Sequence, residues 1–126
     1  TAQWRLEHRI PMISKLIKLR CRASDQQKAK IDADAMLALF NSQKDTIVNI
    51  DRADALLPLA EAYQSISDTK TALAVYKQAV EEGAVNPNSR PRAEDLSAAC
   101  ISMALSAAGS LHICISSDGF PGRVVC

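Results

Sequence analysis

Aromatic residues are scarce in this sequence: Phe, Trp and Tyr make up only 4% of 126 positions. Sheets draw on aromatic and β-branched side chains, so an alanine-rich chain with so few aromatics excludes a sheet-dominated fold and favours closely packed helices. Glycine is also sparse. Four glycines with no Gly-rich run exclude a phosphate-cradling loop and the nucleotide chemistry that goes with it. Charge of either sign is nearly balanced, at +1 overall, so no global field steers the chain to nucleic acid. The four cysteines, at 21, 100, 114 and 126, lack C-x-x-C spacing. Their even number permits disulfides, but nothing in the spacing argues for them. An intracellular compartment is the expectation, with a buried free thiol at Cys100. His8 and His112 stand alone. His112, Cys114 and Cys126 could supply three zinc ligands, but no fourth is evident, so no metal site is expected. Asp32 and Asp34 point in different directions on a helix and are not a carboxylate pair. Catalytic residues and cofactors are therefore expected to be absent, and the protein is expected not to be an enzyme.

What is present is enough for one domain with a core, since 48% of residues are hydrophobic. Residues 2–10 suit a short helix interrupted at Pro11, and "MISKLIKLR" continues at helical spacing with one apolar and one basic face. That basic face, Arg5, Arg9, Lys15, Lys18, Arg20 and Arg22, reads either as a solvated surface or as a docking face for an acidic partner or a lipid headgroup layer. Ser24 and Gln27 have the spacing of a capping box for a helix over about 25–41. "TIVNI" is open between an extended connection and a first helical turn, with Asp51 or Asp54 as N-cap and Pro58 in the first turn or at a kink. Asp68 caps a helix over 69–82 closed by a left-handed Gly83. Pro91 opens a last helix running to Ala108, with Gly109 as its stop.

The stretch "LLPLAEAYQSISDTKTALAVYKQAV" carries the strongest pattern. Small residues at Ala60, Ala62, Ala72 and Ala79 let two helices cross closely, and Leu56, Leu59, Tyr63, Leu73 and Tyr76 fill the space beside them. This resembles the tetratricopeptide repeat. Leu56, Leu59, Ala60 and Tyr63 stand at the Trp, Leu, Gly and Tyr positions of its first helix. Ala72, Tyr76 and Ala79 stand at the Ala, aromatic and Ala positions of its second. Leu96, Ala99, Cys100 and Met103 make a weaker second copy of the first helix, giving about one and a half repeats over 53–108. Residues 25–41 fit poorly as the end of a preceding unit.

The resemblance implies an all-α fold of antiparallel hairpins, a short solenoid with an irregular or β-hairpin tail. N-terminal helices over 1–50 would pack on a repeat at 51–109, with the tail at 110–126. It further implies a non-enzymatic scaffold whose first helices line a protein-binding groove. Asp54, Leu57, Glu61, Gln64 and Ser65, together with Pro58, occupy the groove positions. An acidic, donor-poor groove argues against capture of a terminal carboxylate. The alternative is a structural accessory subunit of a large, membrane-associated organellar complex. The start at Thr1 reads as a processed form or a fragment; removal of a transit peptide on import into a chloroplast or mitochondrion would leave no trace. Residues 96–117 carry no formal charge and are long enough for a bilayer, but serines and His112 favour a buried helix followed by a strand at "LHICI". Protein partners are expected, and nucleic acid is not.

Overall fold

A computed structural model describes the backbone of residues 5–118 and the side chains of residues 5–106. Five α-helices follow one another: α1 (Leu6–Arg22), α2 (Gln26–Gln43), α3 (Asn49–Ser65), α4 (Thr69–Ala84) and α5 (Ser89–Asp118). Among the described residues there is no strand. Short connections make α1/α2 and α3/α4 antiparallel hairpins. The second hairpin packs on the first chiefly through α3 against α1, and α5 then covers α4 and part of α3.

The hairpin anticipated from the alanine spacing is present. Ala60, Ala62, Ala72 and Ala79 are all buried, and so are Leu56, Leu59, Tyr63 and Tyr76. Their burial stabilises the fold by roughly 1.5–3 kcal/mol for each large side chain. Leu73 departs from the expectation. It is 48% exposed, because it lies on the side of α4 turned away from α3. Gly83 does not close α4 in a left-handed turn. It stays helical, and its missing side chain serves helix approach: a Cβ there would lie 3.0 Å from Asp95 Cβ on α5. Asp68 is the N-cap as expected, accepting from the Thr71 backbone N–H at 3.2 Å.

The N-terminal half corrects the sequence reading in three places. First, α1 runs unbroken through Pro11. Leu6, Ile10, Ser14 and Ile17 form one buried stripe across the proline, and burying that stripe outweighs the roughly 3 kcal/mol a mid-helix proline costs. Second, Ser24 does not open α2. It sits at φ 66° and closes α1, while Asp25 flanks α2 without a side-chain cap. Third, neither Asp51 nor Asp54 caps α3. Ile47 and Val48 are extended, the helix starts at Asn49, and Pro58 lies inside it. Arg52 secures this connection by donating from Nε to the Lys44 and Ile47 carbonyls at 3.0 and 3.1 Å.

The two hairpin turns are copies of each other. Ser24 and Ser67, 43 positions apart, have φ 66° and 67°. Ser24 N–H donates to Cys21 O and Asp25 N–H to Arg20 O, while Ser67 N–H donates to Gln64 O and Asp68 N–H to Tyr63 O. This is the paired-carbonyl closure of a Schellman motif, made twice with the same Ser-Asp dipeptide. The first hairpin thus ends its first helix in the same way as the one the sequence pattern identified, an arrangement compatible with helical hairpin repeats.

At the other end, α5 passes through Gly109 and continues to Asp118. The "LHICI" segment is therefore helix, not strand. A helix already formed extends at little cost, and one glycine weakens it by only about 1 kcal/mol. The second strand of the expected β-hairpin tail, for which "RVVC" is the candidate, and the Cys126 ligand lie outside the described residues, as do the side chains of His112 and Cys114. No helix among the described residues is long and apolar enough to cross a membrane.

Candidate functional site

The groove candidates share one stripe of α3. At helical spacing, positions 54, 57, 61, 64 and 65 fall on a single side, with Pro58 beside them. Asp54 and Ser65 are exposed, whereas Leu57, Glu61 and Gln64 are half-buried. Leu57 packs on the core, and Ser65 Oγ donates to the Glu61 carbonyl at 3.1 Å.

Glu61 is the centre of this stripe and is already engaged. Lys18 Nζ of α1 donates to Glu61 Oε2 at 2.8 Å, and Ser102 Oγ of α5 donates to Oε1 at 3.1 Å. Tyr76 OH shares a 2.8 Å hydrogen bond with Ser102 Oγ. One carboxylate thus ties α1, α3 and α5 together, with α4 joined through Tyr76. The stripe must therefore face the gap between α1 and α5. Neither Lys18 nor Ser102 could be assigned to Glu61 from sequence, because the contacts join residues 43 and 41 positions apart.

The two ends of this surface differ in charge. Where α3 and α5 begin, Asp54 stands near Asp95, Asp51 and Glu94. Although the residue as a whole is exposed, partial burial of its carboxyl, reinforced by those acids, raises Asp54 above its ordinary range. Burial likewise raises Asp95, partly offset by its hydrogen bond from Asn86. At the C-terminal end of α1, Lys15, Lys18, Leu19 and Arg22 line an open depression of about 310 Å3.

A second polar cluster locks the far side of the hairpins. Lys30 Nζ reaches Asp68 Oδ2 at 2.9 Å and Asp34 Oδ1 at 3.2 Å, and Tyr63 OH donates to Asp34 Oδ1 at 2.7 Å. Hydrogen bonds from Lys30 and Thr71 hold the Asp68 carboxyl down at about 2. Burial and the neighbouring Asp34 push the Tyr63 hydroxyl well above its ordinary value. Asp34 faces Tyr63 and Asp32 pairs with Arg20, so each has its own partner, as their divergent directions required.

The basic residues of α1 divide accordingly. Lys18 and Arg20 are engaged within the fold, while Arg5, Lys15 and Arg22 are exposed and Arg9 is half-exposed. Cys100, expected to be buried, is exposed on α5, and Cys21 is half-buried; both are free thiols. Ala99 takes the buried position beside Cys100. Among the described residues no group of His, Cys, Asp and Glu could hold a metal ion. No family model matches the chain, and no curated protein or solved structure matches it.

Proposed function

We propose that the chain is a non-enzymatic protein-interaction scaffold of tetratricopeptide-like type. The observation that carries this reading is the duplicated hairpin turn. Ser24-Asp25 and Ser67-Asp68 close successive helix pairs with the same hydrogen bonds, and α5 follows as the first helix of a third unit. Stacked hairpins of this kind present their first helices, here α1, α3 and α5, as one continuous surface. The repeat length of 43 positions is longer than the 34 of the tetratricopeptide pattern, and at that offset Ile13 and Arg20 of α1 stand where the pattern has its Trp and Tyr.

On this reading Asp54, Leu57, Gln64 and Ser65 meet a protein segment, and Glu61 holds the surface's shape through Lys18 and Ser102. The polarised ends would orient that segment, a basic portion toward Asp54 and an acidic portion toward Lys15 and Arg22. Site-specific photo-crosslinking tests it. A photoreactive residue at Gln64 should yield a discrete protein adduct in the native cell extract, while one at Lys77, exposed on α4, should not. Equal labelling at both positions, or none at Gln64, overturns the groove.

The accessory-subunit reading has one observation in its favour. Large apolar residues are exposed at both ends of the stack, Met12, Leu16 and Leu19 on α1 and Ile101 and Leu105 on α5. Co-purification with a stable assembly, in place of a reversible complex, would select it.

A further inference from the structure

We infer that the outer face of α1 is a docking site for an acidic amphipathic α-helix of another protein. The inference rests on the scaffold reading in taking the partner to be protein; it shares Lys15 and Arg22 with the groove's basic end but is built on the Met12, Leu16 and Leu19 line, which the groove does not use.

The geometry of α1 is two-sided. Leu6, Ile10, Ser14 and Ile17 are buried against the rest of the fold. On the opposite side Met12, Leu16 and Leu19 are 51%, 43% and 57% exposed. Their spacing of four and three places them on a single line down the helix, the seam along which two helices interlock. Along one edge, at intervals of seven, run His8, Lys15 and Arg22; near the other stand Arg5 and Arg9. Glu7 is the only acid between residues 5 and 22, and Arg5 pairs with it at 3.0 Å. Lys15 and Arg22 also line the open depression beside Leu19, leaving room for a side chain to enter there.

Charge complementarity selects the occupant. An apolar line flanked by cations fits a helix whose own apolar line is flanked by Asp and Glu. A second copy of α1 would set like charges against each other along both edges. No other described helix of the chain presents an acid-flanked apolar row of this length. The seam is one side chain wide, narrower than the broad apolar face with which an interfacial helix beds into lipid.

The test uses the full chain and a fluorescein-labelled helical peptide about three heptads long, with Leu on the seam and Glu at its edges. Mutual repulsion of the glutamates keeps the peptide monomeric. Fluorescence anisotropy should show saturable binding that weakens about tenfold or more in the Lys15→Glu/Arg22→Glu variant. Leu16→Gln/Leu19→Gln should weaken it similarly, and Ser65→Arg on the α3 groove should leave it unchanged. All these side chains are exposed, and circular dichroism of each variant is the check that it folds. Equal binding of a peptide with Lys at the edges overturns the proposal. So does indifference to the α1 substitutions, association of the chain with itself through this face, or binding to phosphatidylserine vesicles but not to the peptide. Loss of the Gln64 adduct with α1 binding intact would remove the groove alone.

Discussion

Replacing Ser24 or Ser67 by glycine should stabilise the protein, by similar amounts at both sites. Each serine holds a positive φ, 66° and 67°, at the residue that closes its helix. A side chain in the left-handed region costs about 1–2 kcal/mol. Glycine avoids that strain but gives back about 0.5–1 kcal/mol through the greater freedom of its unfolded chain. The net gain is about 0.5–1 kcal/mol per site. For a chain of this length that corresponds to roughly 2–4 °C in Tm. The two turns draw on different carbonyls, Cys21 and Arg20 in one and Gln64 and Tyr63 in the other, so the double variant should gain close to the sum, within about 0.5 kcal/mol. Ser97→Gly is the control. Ser97 lies exposed within α5, where glycine should destabilise by about 0.5–1 kcal/mol. Urea unfolding followed by far-UV circular dichroism reads all four variants. A lower midpoint for either turn variant would mean that the closure is not left-handed. A gain at one turn only would show that the two hairpins are not copies, and the scaffold reading would lose its support.

Two further outcomes follow from the titrating carboxylates. Asp68 caps α4 and receives Lys30, and its carboxyl is held at about 2, below the ordinary 3.8. Its stabilising contribution is therefore present above about pH 4 and fades as pH falls toward 2. Asp68→Ala should cost about 1–2 kcal/mol at pH 7 as a lost cap and a partly screened ion pair. Chemical denaturation at stepped pH should show that difference vanish near pH 2. Asp95 behaves in the opposite sense, because burial raises its carboxyl. Its penalty is absent below the ordinary 3.8 and grows as pH rises through the raised value. Asp95→Asn should then match the parent near pH 4 and exceed it in stability at pH 7, retaining the hydrogen bond from Asn86. A parent that outlasts the variant at neutral pH would contradict this account.

The second hairpin was legible in the sequence because its signals are local. Small and large residues alternate at helical intervals over 56–80, and Asp68 caps the second helix within three residues of its partner. The grouping of positions 54, 57, 61, 64 and 65 on one face followed from helix geometry alone. The first hairpin was not legible, for two physical reasons. Pro11 reads as a break unless the buried stripe on both of its sides is known to dominate. Ser24 with Gln27 imitates an N-terminal cap, whereas the backbone uses Ser24 to end the preceding helix. The twin Ser-Asp pairs at 24–25 and 67–68 were the available clue. Their 43-residue separation hides them, because it differs from the 34-residue period of the tetratricopeptide pattern. Glu61 reads as a free groove residue because its partners, Lys18 and Ser102, are distant in sequence. The continuation of α5 beyond Gly109 is hidden by the five-residue alternation of "LHICI", which imitates a strand.

The burial pattern explains why the two ends of the stack should not find each other. Helix α3 is shielded on several sides, with Ala53, Ala55, Leu56, Leu59, Ala60, Ala62 and Tyr63 all buried, and past its first turn only its stripe from Asp54 to Ser65 is left uncovered. Helices α1 and α5 are each covered on one side only. Their uncovered faces are chemically unlike. That of α1 carries Arg5, Lys15 and Arg22 around its apolar line. That of α5 is uncharged from Ser97 to Leu105, where Ser97, Cys100, Ile101, Ala104 and Leu105 are exposed. End-to-end stacking of two copies would press the α1 cations against a surface with no acid to receive them. Each cation would lose water without gaining a partner, a cost that the apolar contact of three side chains does not offset. On the proposed reading, the α1 end therefore favours a partner that brings negative charge over a second copy of the chain.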